Sequence, residues 1–273
     1  MSIARVNGID LYYEVHGTGE PVVLIMGLGT NATAWGAQIP ALSREYKLIA
    51  FDNRGSGRSE KPANGYTVPQ MADDTLSLMD QLGVGEAHVF GMSMGGMIAQ
   101  EVYHRRPERV RTLILAGTLA GGPMATLPSA GTFLEFAPRG GRTLADTLES
   151  GLRMFYSDEF IAANRGRLVQ RAISQMGMFP PGHALQGQFR AVRGYNAFSK
   201  LRKITAPTLV FGATGDRIVP FPNQETLAER IPNARFVPFE GAGHGFILER
   251  AEAVNRATLS FLREHPIAQA VAK

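Results

Sequence analysis

The sequence predicts an α/β fold, a mostly parallel eight-stranded sheet with helices on both faces and a helical segment inserted into it. Three observations carry this. Short β-branched runs alternate with helical patterns, an Asn-Gly pair joins the first two strands, and one long stretch interrupts the alternation. Ile3–Val6 and Ile9–Val15 flank Asn7-Gly8, the strongest short signal for a hairpin. Val22–Met26 is a continuous apolar run, as expected of a strand covered on both faces. Helical periodicity at Thr33–Leu42 leads to a strand at Lys47–Phe51, and that at Val68–Leu82 to a strand at Ala87–Phe90. A helix over Gly95–His104 is followed by a strand at Thr112–Ala116. The rhythm resumes with the strand Thr208–Phe211, a helix near Gln224–Glu229, the strand Ala234–Phe236 and a closing helix around Glu249–Arg263.

Between Thr118 and Thr205 lie 88 residues, too many for a plain loop in a compact domain. Helical patterns occur there at Leu144–Phe155, Ile161–Met176 and Ala184–Phe198, with Pro180-Pro181 as a break. The expected division is therefore a core of residues 1–117 and 206–273 and a helical cap of residues 118–205. Seven of the fifteen phenylalanines fall in the cap: Phe133, Phe136, Phe155, Phe160, Phe179, Phe189 and Phe198. They serve either a small core for the cap helices or an apolar lid over the C-terminal edge of the sheet, where ligands bind in such folds.

Composition excludes several classes. With 44% hydrophobic and 19% charged residues, the 273-residue chain is an ordinary globular protein, and a net charge of +4 is too small to indicate nucleic-acid binding. The absence of cysteine excludes disulfides, thiolate nucleophiles and Cys-based metal sites. Apolar stretches such as Pro21–Gly29 fall far short of the ~20 residues of a membrane span, and no signal-peptide h-region opens the chain, so a cytoplasmic location is expected. No P-loop, dinucleotide fingerprint or metal-ligand cluster is present, so neither cofactor nor metal is expected. The charge is uneven: residues 118–205 hold 11 basic and 5 acidic side chains, against 17 and 19 elsewhere. Arginines of the cap such as Arg139, Arg142, Arg153, Arg165, Arg167, Arg171, Arg190 and Arg193 are either solvated helix faces or a basic lid that draws in anionic substrates. The run of four arginines over His104–Arg111 reads as a solvated helix end.

The sharpest chemical signal is Gly91-Met92-Ser93-Met94-Gly95, between a predicted strand and a predicted helix. A serine on so sharp a turn has a strained backbone and needs glycine neighbours to avoid overlap. The turn also puts Ser93 at a helix N-terminus, where N–H groups favour developing negative charge. A serine hydroxyl needs a base, and the base needs a carboxylate to orient it. Asp216, after the strand Thr208–Phe211, and His244, after Ala234–Phe236 and among glycines, supply both in the order Ser…Asp…His. A solvated turn aspartate and a loop histidine are the plain alternatives for these two. The oxyanion of an acyl-transfer intermediate would be held by the amides of Met94 and of Leu28, in the glycine-rich loop Met26–Asn31. Gly27, Met26 and Met92 would line the substrate side. Among the other histidines, His88 is expected buried within a strand, His16 in a turn and His265 near the tail. His104 is expected to close a helix with partial positive charge, and His183 is a weaker candidate to line the pocket.

These residues resemble the α/β-hydrolase superfamily over nearly the whole length. Asp52-Asn53-Arg54-Gly55-Ser56-Gly57-Arg58-Ser59 is similar to its D-x-R-G-x-G-x-S segment, which implies that Asp52 and Arg54 fix a loop near the serine turn. Ala206-Pro207-Thr208 and Pro107–Val110 are also family-like. Ser93–Gln100 is similar to 3-oxoadipate enol-lactone hydrolases and small bacterial carboxylesterases. Met26-Gly27 stands where many members carry His-Gly, which makes the site more apolar. Asp-nucleophile dehalogenases and epoxide hydrolases are excluded by Ser93, and the single tryptophan, Trp35, reads as a packing residue. The resemblance implies a cofactor-free serine hydrolase cleaving a small carboxylic ester or lactone through an acyl-enzyme; a homo-oligomer is compatible with the sequence. A C–C bond hydrolase or perhydrolase with the same triad, and a ligand-binding receptor of the same fold, remain alternatives.

Overall fold

The computed structural model describes residues 2–132 and 143–268. Its strands are β1 (Ser2–Val6), β2 (Ile9–His16), β3 (Glu20–Ile25), β4 (Tyr46–Phe51), β5 (Ala87–Met92), β6 (Val110–Ala116), β7 (Thr208–Ala213) and β8 (Ala234–Phe239). They form one sheet in the order β1-β2-β4-β3-β5-β6-β7-β8, antiparallel at β1–β2 and β2–β4 and parallel beyond. Asn7 (φ 44°) and Gly8 (φ 80°) both take the left-handed geometry that a two-residue hairpin of this twist requires. The five parallel strands β3 to β7 are almost wholly apolar because helices cover both their faces.

The helices are α1 (Ile39–Leu42), α2 (Val68–Gln81), α3 (Met94–Arg105), α4 (Leu144–Phe155), α5 (Asp158–Gln175), α6 (Gly182–Gly194), α7 (Pro222–Arg230), α8 (Phe246–Glu249) and α9 (Ala251–Arg263). The helix expected over Thr33–Leu42 divides into a 3-10 turn, Ala32–Ala37, and the short α1. Pro40 lacks the N–H that would continue the ladder, so the helix restarts around it. The closing helix is present as α9, and Arg250, whose φ of −118° and ψ of 35° leave helical geometry, separates it from the short α8 before it. Trp35 is fully buried, edge-on to Phe90 at 4.8 Å, in the packing role expected of it.

Helices α4, α5 and α6 fall in the stretch between β6 and β7, as expected. The last ends at Gly194, short of the expected Phe198. Tyr195–Ala197 instead return to the core, where Tyr195 accepts a hydrogen bond from the Gly122 amide (3.0 Å) and Ala197 donates to Ala120 (2.8 Å). Phe160 packs on Tyr156 beside the buried Leu152, Ile161 and Leu168, whereas Phe179 and Phe189 are exposed. Arg153 and Arg165 share Glu149 as an ion-pair partner, and Arg190 and Arg193 are exposed on α6, opposite its buried Ala184, Gln188 and Ala191. Those two arginines therefore fit the solvated-face reading. Phe133, Phe136, Arg139 and Arg142 lie outside the described residues. Among the described residues no helix is long and apolar enough to cross a membrane.

His104 corrects an expectation. It ends α3, but burial, with Lys200 and Lys203 nearby, pushes its pKa down to about 4. The imidazole is neutral at pH 7 and gives the helix end no positive charge. The unfolded chain, titrating at the ordinary 6.5, takes up a proton that the folded chain refuses. This contribution to stability is thus fully present above pH 6.5 and lost as pH falls toward 4. The melting temperature of His104→Gln should fall less than that of the native chain between pH 7 and pH 5. Parallel Tm–pH curves would contradict this.

Candidate active site

Ser93 is the single residue between β5 and α3, with φ 57° and ψ −122°. For a residue with a Cβ that backbone costs about 1–3 kcal/mol, and close packing imposes it. A Cβ on Gly91 would overlap the Gly95 carbonyl, and one on Gly95 would overlap the Ile25 carbonyl at the end of β3. The turn is also hydrogen-bonded from both sides. The Ser93 amide donates to Ala116 (2.9 Å), while its carbonyl accepts from Gly96 N (2.9 Å) and Thr118 Oγ1 (2.7 Å). The side chain is partly exposed at the N-terminus of α3, and its Oγ makes no hydrogen bond among the described residues.

Asp216 and His244 follow β7 and β8. His244 Nδ1 lies 2.6 Å from Asp216 Oδ2, both side chains almost fully buried. Asp216 Oδ1 accepts from the amides of Ile218 and Val219, each at 2.8 Å, so the carboxylate is held at both oxygens. Facing an acceptor, Nδ1 carries the proton, which leaves a lone pair on Nε2. The ring reaches the serine turn at Gly117, next to the Ala116 carbonyl that takes the Ser93 amide. A Cβ on Gly117 would lie 3.4 Å from His244 Cε1 and 3.1 Å from Met92 Cε. No hydrogen bond joins Ser93 and His244; the histidine ring and the strand ends around the serine meet at Gly117.

On the other side, a Cβ on Gly27 would lie 3.3 Å from Ser93 Oγ, so the loop after β3 passes directly against the serine. Neither the Leu28 nor the Met94 amide has an acceptor among the described residues. Met26 and Met92 are buried on the same face of the sheet as Phe246, and Met94 is buried beside Met97 and Ile98. The Met26 carbonyl is held by Asn53 Nδ2 at 2.7 Å.

The loop-fixing roles of Asp52 and Arg54 are present. Asp52 accepts from the amides of Ala32 and Arg58, both at 2.7 Å, and Arg54 forms a buried two-point pair with Asp74 at 2.8 and 2.9 Å. His88 is buried between Thr112 (2.8 Å) and Glu20 (3.2 Å), and burial lowers its pKa. His183 is exposed on the Lys61 carbonyl, His16 ends β2 beside Glu14, and His265 bonds the Phe261 carbonyl. Sequence reasoning missed Glu249. Its buried carboxylate accepts from Gly243 N (3.1 Å) and from Ser157 Oγ (2.5 Å), tying the residue before His244 to the corner between α4 and α5. The Gly245 amide donates to the Phe155 carbonyl at 2.6 Å, so the histidine loop is gripped on both sides.

The glycine packing predicts opposite outcomes at two positions. Gly95→Ala should lose at least about 1–3 kcal/mol of stability in urea denaturation, since backbone must move to admit the Cβ. Gly166→Ala, in α5 with open space around it, should gain about 0.4–1 kcal/mol. Equal small effects would show that the turn is not tightly packed.

The comparisons with known proteins agree with this geometry. The profile of the alpha/beta hydrolase fold family matches residues 20–251. The candidate carbamate hydrolase RutD of Azorhizobium caulinodans is 32% identical over 97% of this chain and 99% of its own. The candidate non-heme bromoperoxidase BpoC of Mycobacterium tuberculosis is 35% identical over 93% of this chain and 97% of its own. The crystal structure of the enol-lactonase from Burkholderia xenovorans superposes with a TM-score of 0.83, at 27% identity, over 96% of this chain and all of that one. The strained serine turn on an eight-stranded sheet, the family profile and these relatives place the chain in the alpha/beta hydrolase fold family, as a hydrolase.

Proposed function

We propose that the chain hydrolyses a small carboxylic ester or lactone through an acyl-enzyme, with Ser93, His244 and Asp216 as its triad. The observation that carries this is the 2.6 Å contact of the buried Asp216–His244 pair, together with a strained serine whose hydroxyl is uncommitted. His244 Nε2 takes the Ser93 proton as Oγ attacks the carbonyl carbon, and returns it to the departing alkoxide. Water then attacks the acyl-enzyme with the same histidine as base, the acyl–Oγ bond breaks, and the proton returns to Ser93 Oγ as the carboxylic acid leaves. The Leu28 and Met94 amides hold the oxyanion, a contribution of about 3–4 kcal/mol per donor in comparable sites. Met26, Gly27 and Met92 line the substrate side. Residues 118–205 act as the lid, supported by the Phe155 ring 5.9 Å from that of His244.

A carbamate, the word in the RutD relative's name, carries nitrogen on the acyl carbon that Ser93 would attack, so the test is a panel of aryl ester, lactone and carbamate. Ser93→Ala should lose several orders of magnitude in kcat on whichever is turned over, with unchanged folding. Retention of most of the turnover would refute the assignment. A native chain that takes a fluorophosphonate on Ser93 yet turns over none of the panel would favour a ligand receptor.

A further inference from the structure

We infer that Gln188, on helix α6, is a positioning residue of the oxyanion hole: it sets the loop that carries the Leu28 amide. This rests on the reading of Leu28 as an oxyanion donor. Gln188 is fully buried and uses both ends of its amide. Oε1 accepts from the Gly29 amide at 2.9 Å, and Nε2 donates to the Arg54 carbonyl at 2.8 Å and to Ser56 Oγ at 2.9 Å. One side chain from the segment between β6 and β7 therefore joins the loop after β3 to the loop after β4.

The consequence follows from peptide geometry. The Gly27 carbonyl and the Leu28 N–H belong to one planar unit and point in opposite directions. Thr30 Oγ1 donates to that carbonyl at 2.8 Å, which fixes the plane from one end. The next plane holds the Leu28 carbonyl and the Gly29 N–H, and Gln188 Oε1 fixes it from the N–H. With both planes pinned, the φ and ψ of Leu28 between them are pinned as well. Gly29 takes φ 71°, and a Cβ there would stand 3.2 Å from Leu185 Cδ1, one turn before Gln188 on α6. The loop is thus fitted to that helix on one side and passes against Ser93 on the other. A shift of α6 would turn the Leu28 amide away from the oxyanion without disturbing Ser93, His244 or Asp216.

The test is Gln188→Met, which keeps the length and loses the hydrogen bonds. It is read by kcat and KM on whichever member of the panel is turned over, by Tm, and by the Ki of a trifluoromethyl ketone that adds to Ser93 and presents an oxyanion. The expected result is a fall in kcat of about 10–100-fold with a matching rise in Ki, while KM moves less than about threefold. Gln188→Glu keeps an acceptor for the Gly29 amide but loses the donors to Arg54 and Ser56, so it should lower kcat and raise Ki in step as well. Wild-type kcat and Ki in Gln188→Met would overturn the inference, and so would a kcat loss that the ketone does not follow. If Gln188→Met does not fold, Gln188→Glu carries the test: a parallel fall in kcat and rise in Ki with KM little changed supports the inference, and near-native kcat and Ki overturn it. The two readings fail separately. Turnover by Ser93→Ala removes the catalytic assignment itself, whereas an inactive Ser93→Ala beside a fully active Gln188→Met removes only the role of Gln188.

Discussion

Ser93 can hold a backbone φ of 57° only because Gly91 and Gly95 let the β5–α3 turn press against its own helix and against the Ile25 carbonyl. Much else follows from that close approach. It lifts the hydroxyl above the sheet edge, sets it at the head of a 12-residue helix, and brings Gly27 of the neighbouring loop against it. The cost of about 1–3 kcal/mol is small against the burial of five apolar strands, which the same approach helps to close. The turn is further held by Ala116 and Thr118, so the end of β6 serves both the serine and, through Gly117, the contact with His244.

The flanking groups are positioned by side chains distant in sequence. Asp216 is held at both oxygens by a turn of its own loop and by His244, so the imidazole receives one orientation. Glu249 and Phe155 grip the residues on either side of that imidazole and anchor them to the corner between α4 and α5. On the opposite side Gln188 of α6 holds the loop after β3, and α5 adds contacts from Gln175 and Arg171 to Asn31 and Thr33. The helices between β6 and β7 are therefore bonded to both loops that face Ser93.

What could be read from sequence was what local sterics and periodicity impose. Gly91, Ser93 and Gly95 announce their turn because few other residues fit it, and Asn7-Gly8 announces the hairpin for the same reason. The buried strands were legible from unbroken apolar runs, and α4 from its periodicity. The division at Pro40 was harder, since periodicity continues across a break in the hydrogen-bond ladder. Gln188 and Glu249 were not legible: Gly29 lies 159 residues from the first and Ser157 lies 92 residues from the second, and a lone Gln or Glu in a helix usually faces water. His104 misled because its position at a helix end is a local fact. Its burial beneath the segment holding Lys200 and Lys203 is a tertiary one.

The central claim is that this strained serine becomes covalently acylated during turnover. Rapid acid quench of the native chain with a p-nitrophenyl ester, followed by mass analysis of the peptide spanning Gly91–Gly95, tests it directly. The account predicts a burst of nitrophenol and a peptide heavier by one acyl group, with the modification on Ser93. Turnover with no adduct, or with the acyl group on another residue, would contradict it.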